Sequence, residues 1–375
     1  MKPIQMVDLV AQYQHNKAAM DEAVLGVLAS AKFIGGPDVK AFSEELAAYI
    51  GVKHVIPCAN GTDALQIAMM ALDFKPGDEI IVPTFTYVST AEVIALLRLT
   101  PVLVDVDPHT FNIDIAALEA AITPKTKAIV PVHLFGQSAD MAPLLALAQR
   151  HNLYVIEDNA QAIGAYYTFP DGTRKRAGAM GVIGCTSFYP SKNLPCYGDG
   201  GAIFTDDDTL ALKLRQTANH GQNELYKFAR VGVNSRLDTL QAAILRINLA
   251  NLDQYIARRQ AVAARYDAAF AGHPNLTTPA LAPYSTHVYH QYTLQVQGAD
   301  RDALKAHLAQ HQVPSMVYYP IPLHQQDAYR DPRYKDGDFP HSERLCATVI
   351  SLPIHPELAD DQVEHIIRSV SAFFA

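Results

Sequence analysis

Tyr154-Val-Ile-Glu-Asp158, followed by Asn159-Ala-Gln161, is the stretch on which the fold turns. Its apolar core and acidic end read as a strand buried on both faces of a mainly parallel sheet. Asp158 then stands at the carboxyl end of a core strand, where open α/β sheets place their sites. Taken alone, the same aspartate reads as a turn or helix cap. Working outward, the pattern repeats. Short apolar runs at His54–Cys58, Glu79–Pro83, Val102–Val106, Ala128–Val132, Cys185–Tyr189 and Gly201–Thr205 read as further strands. Helical patterns at Thr62–Leu72, Ser89–Leu97, Ile115–Ala121 and Met141–His151 lie between them, set off by turn signals such as Lys75-Pro-Gly-Asp78 and Asp105-Val-Asp-Pro108. Strand–helix alternation of this kind predicts a layered α/β domain with crossover connections.

Gly36-Pro-Asp38 opens a helix that continues to Ile50. Asp206–Thr217 and Leu237–Tyr266 read as helices, the second broken near Asn251. From Thr286 onward the pattern gives strand Tyr289–Gln297, helix Arg301–Gln310, strand Ser315–Tyr319, a loop, strand Thr348–Leu352 and helix Asp360–Phe374. This divides the chain into a large α/β domain, residues 1–250, and a smaller α+β domain, residues 251–375. The chain has 375 residues, 49% hydrophobic and 18% charged, which excludes disorder and suits two unequal domains. Thirty Lys+Arg against 38 Asp+Glu give a formal charge of −8, which argues against nucleic acid as a partner. No apolar run approaches the ~20 residues of a membrane helix. The first residues lack a signal peptide's apolar stretch. Cys58, Cys185, Cys196 and Cys346 show no paired spacing and suit reduced thiols, so the expected location is the cytoplasm.

The chemistry centres on Ser187-Phe-Tyr-Pro-Ser-Lys-Asn-Leu-Pro-Cys-Tyr-Gly-Asp-Gly-Gly-Ala202. A lone loop lysine is ordinarily a solvated side chain. Here Lys192 follows an apolar strand, precedes three glycines in four residues, and has Asp158 upstream. Pyridoxal phosphate chemistry needs a lysine for the Schiff base, an acid for the ring nitrogen, a phosphate cup and a stacking face. Lys192 and Asp158 supply the first two. Asn60-Gly-Thr-Asp-Ala64 follows a strand and opens a helix, whose N–H groups and dipole suit a phosphate. Ser187 adds a hydroxyl, and Tyr87 in Pro83-Thr-Phe-Thr-Tyr-Val-Ser89 adds an aromatic face. Other chemistries lack their motifs: there is no GxGxxG after a strand, no Walker A, no HExxH and no Gly-x-Ser-x-Gly. The 15 histidines are scattered; His287 and His290 read as surface or substrate-contacting residues, and no metal site is expected.

Over nearly its whole length the sequence resembles the DegT/StrS family of sugar-nucleotide aminotransferases. The likeness is carried by Gly36-Pro-Asp-Val39, Cys58-Ala-Asn-Gly-Thr-Asp-Ala-Leu65, Glu157-Asp-Asn-Ala-Gln161, the lysine loop, Gly232-Val-Asn-Ser-Arg-Leu-Asp-Thr-Leu-Gln-Ala-Ala243 and Ser351-Leu-Pro-Ile-His-Pro356. The resemblance implies the aspartate-aminotransferase-like fold (pyridoxal phosphate fold-type I). It implies that Lys192 forms the Schiff base, Asp158 partners the ring nitrogen and Gln161 lies beside the ring hydroxyl. Gly61, Thr62 and Ser187 match the phosphate cup, and Tyr87 the stacking aromatic. Asn234 matches a phosphate ligand given by a neighbouring subunit, which implies a homodimer with shared sites. A branch of this fold carries histidine in place of the lysine and dehydrates sugars, so Lys192 points to transamination.

Phe85-Thr-Tyr-Val-Ser-Thr-Ala-Glu92, His220-Gly-Gln222 and Tyr319-Pro-Ile-Pro-Leu323 look most like members that aminate UDP-N-acetyl-3-ketoglucuronate. That likeness implies L-glutamate as donor, a UDP- or dTDP-linked ketosugar as acceptor, and a role in cell-surface polysaccharide biosynthesis. It places Arg236, Tyr318, Tyr319 and His324 at the sugar end. Tyr318 stands where close relatives often carry histidine, and Asn193–Pro195 departs from their Lys-Pro-Leu-Gly pattern. An arginine fork suits either the donor's carboxylate or a uronate. The alternatives are a 4-keto-6-deoxy sugar acceptor, a dehydratase on the same cofactor, and a non-catalytic sugar-nucleotide binder.

Overall fold

The computed structural model describes residues 2–375. Seven strands form the main sheet in the order His54–Cys58, Gly201–Thr205, Ile183–Ser187, Tyr154–Asp158, Thr126–Ile129, Glu79–Pro83 and Thr100–Val104. The last five run parallel, while Gly201–Thr205 lies antiparallel to both neighbours. Successive residues of each strand enter opposite cores, as the two-residue period requires. Ile56, Ile80, Val82, Ile156 and Ile203 pack with helices Gly61–Ala71, Ser89–Leu96 and Asp208–Ala218. Their neighbours Ile81 and Val155 meet helices Ile115–Ala120 and Met141–His151. Val55 and Phe204 meet helix Pro37–Ile50 and the long helix Thr239–Phe270. Both faces are therefore dry, and every parallel strand delivers its carboxyl end to one edge.

The C-terminal part carries an antiparallel sheet of Leu276–Thr277, Tyr292–Val296 and Val349–Leu352, covered by helices Arg301–Gln310 and Asp360–Phe373. Its own core joins Leu294, Leu304, Ile350 and Ile366 to Tyr266 and Phe270 at the end of the long helix. Asp105, just past Thr100–Val104, accepts hydrogen bonds from the His341 and Ser342 amides and the Ser342 hydroxyl. It thus caps helix Pro340–Thr348 from across the molecule, where a carboxylate also meets the positive end of the helix dipole.

Several expectations are corrected. The long helix is unbroken: Asn251 turns its amide back onto the Ile247 carbonyl at 2.9 Å and so stays helical. Three strands pair two residues earlier than expected, at Thr100–Val104, Thr126–Ile129 and Ile183–Ser187. Apolar residues beyond two of them, Val106 and Val132, remain buried although they make only isolated bridges, so hydrophobicity outlasts pairing. Ser315–Tyr319 is not a strand; only Met316 bridges Ser351. Helices Leu9–His15, Lys17–Ser30 and Pro340–Thr348 carried no clear sequence signal. Lys17–Ser30 buries only Met20 and Val27, too few to mark a face. Among the described residues no helix is long and apolar enough to cross a membrane. The four cysteines are buried, free thiols.

Candidate active site

The carboxyl ends of the parallel strands open into a cavity of about 800 Å³. Lys192, Asp158, Asn60, Gly61, Thr62, Tyr87, Gln161, Ser187, Tyr318 and Tyr319 all line it. Residues separated by up to 259 positions in the chain thereby meet around one space.

Glu157 and Asp158 look equivalent in the sequence, but strand alternation sends them opposite ways. Glu157 is wholly buried and accepts from His133 Nε2 at 2.8 Å and from the Gly178, Met180 and Gly181 amides at 2.5–2.8 Å. All its bonding is internal, so it organises the turn behind the sheet. Asp158 faces the cavity. Thr90 Oγ1 donates to its Oδ2 at 2.9 Å and the Ala160 amide to its Oδ1 at 3.1 Å. Burial raises its carboxyl above the usual range, while these donors, Lys192 and His133 pull it back.

Lys192 sits in the turn after Ile183–Ser187, its amide donating to the Tyr189 carbonyl at 2.8 Å. Burial pushes its ammonium down to about 8, against the opposing pull of Asp158. Asn248, on the long helix, donates to the Pro195 carbonyl at 2.8 Å and ties this loop down. Gln161 Oε1 accepts from the Phe135 amide at 2.7 Å, and its Nε2 donates to the Tyr319 hydroxyl at 3.1 Å. Tyr319 is fixed further by ring contacts with Phe85 and Tyr87, whose centroids lie 6.1 and 6.2 Å away. Tyr87 keeps an exposed ring at the cavity rim.

The phosphate cup has a backbone origin. Asn60 is the N-cap of Gly61–Ala71, its Oδ1 accepting from the Asp63 amide at 2.8 Å, which leaves the Gly61 and Thr62 amides at the open helix end. Two glycines make the cradle tight enough. A Cβ on Gly61 would stand 2.7 Å from Ser187 Cβ, and one on Gly201 would stand 2.4 Å from the Asn60 carbonyl oxygen.

Other expected site residues lie elsewhere in the single chain. Asn234 and Arg236 are exposed and do not line the cavity. Arg236 instead borders a shallow groove with Lys40 and Arg215. His324 does not reach the cavity either: its ring is buried, hydrogen-bonded to Thr84 Oγ1 at 3.0 Å and Glu343 Oε1 at 3.2 Å, and packed on Phe339. Both of its ring nitrogens are engaged within the chain. His287 is no surface residue; it is buried and stacked on Tyr289, 4.0 Å between centroids. His290 does line the cavity, as do Phe135, Gln291 and Asp199, which sequence patterns did not single out. Thr90 was missed as well, since nothing local marks a helix threonine as a carboxylate's partner.

Comparison with known proteins bears on this site. The model of the DegT/DnrJ/EryC1/StrS aminotransferase family matches residues 14–371. A Pseudomonas aeruginosa protein named UDP-2-acetamido-2-deoxy-3-oxo-D-glucuronate aminotransferase is 47% identical, over 98% of this chain and 99% of its own. A solved structure of Streptomyces venezuelae DesV superposes with a TM-score of 0.95 at 40% identity, covering 100% of this chain and 99% of that one. A Bacillus subtilis structure, ntda with bound cofactor PMP, gives a TM-score of 0.88 at 31% identity, covering 98% and 82%.

Proposed function

Because the chain belongs to the DegT/DnrJ/EryC1/StrS aminotransferase family, we propose that it transfers the amino group of L-glutamate to a UDP-linked 3-ketosugar, a 3-ketoglucuronate above all. The observation that carries this reading is the convergence of Lys192, Asp158 and the Asn60–Thr62 helix start on one cavity. The family works with pyridoxal phosphate, and the residues present fit that group. A lysine with a lowered pKa, a buried carboxylate, a glycine-walled helix N-terminus and the Tyr87 ring are the groups that such a cofactor requires.

Bound pyridoxal phosphate supplies a carbonyl carbon that accepts an amine and a ring that withdraws electrons from the carbon losing its proton. The Gly61 and Thr62 amides and the Ser187 hydroxyl would hold its phosphate. Asp158, aimed by Thr90 and the Ala160 amide, keeps a proton on the ring nitrogen. Lys192 Nζ would serve as the base for the donor's α-proton and as the acid that returns it; a pKa near 8 suits that exchange at neutral pH. Phe135, Tyr318 and Tyr319 close the apolar side and limit water there.

Substrate carboxylates and diphosphates need cations, yet the cavity lining carries Asp63, Asp158 and Asp199 against Lys192 alone among formally charged side chains other than histidine. We assign the missing cation to Arg236 of a second copy, with Asn234 beside it, in a homodimer with shared sites. The exposed Leu225, Tyr226, Phe228 and Val231 at and beside the hairpin Gln222–Glu224/Lys227–Phe228 supply apolar surface for such a contact.

The test is the visible spectrum of the purified protein loaded with pyridoxal phosphate. Glutamate should bleach the long-wavelength band with release of 2-oxoglutarate, and the UDP-3-ketosugar should restore it. A dehydratase would leave 2-oxoglutarate unformed, and a non-catalytic binder would show no change with glutamate.

A further inference from the structure

His290 stands in a segment that is braced at every residue but itself. Three consecutive carbonyls are each held by a different side chain: His287 by Gln260 Nε2 at 3.0 Å, Val288 by Asn193 Nδ2 at 2.9 Å and Tyr289 by an Arg259 guanidinium nitrogen at 3.1 Å. The Val288 and Gln291 amides donate to Gly136 and Phe135, and the Tyr289 amide donates to His287 Nδ1. Asn193 is the chain neighbour of Lys192, so one hydrogen bond locks the lysine turn to the His290 segment. Against this background His290 is only 5% exposed, lines the cavity with Lys192, and has an Nδ1 with no partner. The ring therefore keeps one free acceptor beside the lysine in a segment whose backbone is otherwise tied down.

We infer that His290 is a positioning residue for Lys192, its neutral ring accepting a hydrogen bond from Nζ once the donor has displaced that amine from the bound cofactor. Burial and the nearby Lys192 and Arg259 cations hold the imidazole well below its usual range, so it accepts and does not act as an acid. The other charged groups around the pair are Asp158 from the Tyr154–Asp158 strand and Asp63 and Asp199 on the phosphate side; Tyr318 and Tyr319 face it as neutral phenols. An acceptor at this position favours the ammonium form of Lys192 and fixes the direction of its lone pair once deprotonated. This inference rests on Lys192 being the reactive amine of the proposed function.

The experiment uses the full chain loaded with pyridoxamine phosphate, which leaves Lys192 unlinked. Reductive methylation of Lys192 by formaldehyde and a borane reductant is followed by peptide mass across pH 6–10, and glutamate bleaching of the pyridoxal phosphate form is timed in parallel. His290→Leu removes the acceptor. The labelling midpoint should fall by about one pH unit, and bleaching should slow roughly tenfold. His290→Asn places an amide oxygen near Nδ1 and His290→Gln reaches towards Nε2; one of them should recover the parent midpoint. Should His290→Leu fail to hold the cofactor, His290→Ala is read in the same way. A labelling curve superimposed on the parent's, or a shift that neither amide recovers, overturns the inference. Failure of the underlying reading looks different: the parent itself would then form no visible band with pyridoxal phosphate.

Discussion

Asp158 shows how a single carboxylate acquires a task. Its neighbour Glu157 meets four internal donors and is finished as a structural group, whereas Asp158 meets two and keeps an oxygen edge towards the cavity. Burial alone would favour its protonated form, and a protonated Asp158 would not hold a proton on the cofactor's ring. The Thr90 hydroxyl is therefore part of the electrostatics, not merely of the packing. Thr90→Val keeps the shape and deletes the donor. The expected result is a roughly tenfold slower glutamate half-reaction, with pyridoxal phosphate still bound, measured by stopped-flow absorbance. An unchanged rate would return Thr90 to the role of helix filler.

At the scale of elements, the cavity is made by how strands and helices abut. The strand Gly201–Thr205 passes so close beneath the Asn60–Gly61 junction that a Cβ on Gly201 would strike backbone atoms, the Asn60 carbonyl oxygen at 2.4 Å and the Gly61 nitrogen at 2.9 Å. Backbone cannot swing aside as a flexible side chain does, so the helix start must shift. Gly201→Ala should weaken pyridoxal phosphate binding at least about tenfold, the cost of a few misaligned phosphate hydrogen bonds, read by titration of the visible band. The long helix Thr239–Phe270 does complementary work from the other side. It reaches about 48 Å at 1.5 Å per residue. Along that length Asn248 pins the lysine loop, Arg259 pins Tyr289 and Ile354, and Tyr266 pins Pro353. Catalytic loop and C-terminal sheet thus share one strut.

Two expectations belong to the whole molecule. His287 and His355 are buried and neutral, held down by desolvation to about 3 and about 4, and His290 moves in the same direction. Unfolded, each would titrate near 6.5. Their contribution to stability is complete above that value and is lost as pH falls, because protons then bind the unfolded chain first. Each costs on the order of 1 kcal/mol per pH unit below 6.5 until its folded pKa is reached. The urea midpoint should therefore drop steeply between pH 6.5 and 4.5, and His355→Gln should flatten the slope. The second expectation concerns two chains. If Arg236 serves a second copy's cavity, Lys192→Ala and Arg236→Ala are each inactive alone. Mixed and allowed to exchange, they should regain about a quarter of the parental activity, since half the dimers are mixed and one site in each is intact. No recovery would place Arg236 in its own chain's chemistry.

Much of this was legible in the chain itself. Continuous apolar runs between helical patterns dictate a parallel sheet buried on both faces, because only such a sheet hides β-branched residues at every position. The spacing of Asn60-Gly-Thr, Asp158, Ser187 and Lys192 at strand ends then dictates the cofactor, since the carboxyl ends of parallel strands share one edge. What the tertiary structure alone decided are the relations with no local cause: which of two adjacent acids faces the cavity, that Thr90 aims it, and that His324 is used up by Thr84 and Glu343. The same holds for His290, which shares the cavity with Lys192 across 98 residues of chain. Periodicity records whether a side chain is buried; it carries no record of what it is buried against, because that is fixed only when distant elements close on one another.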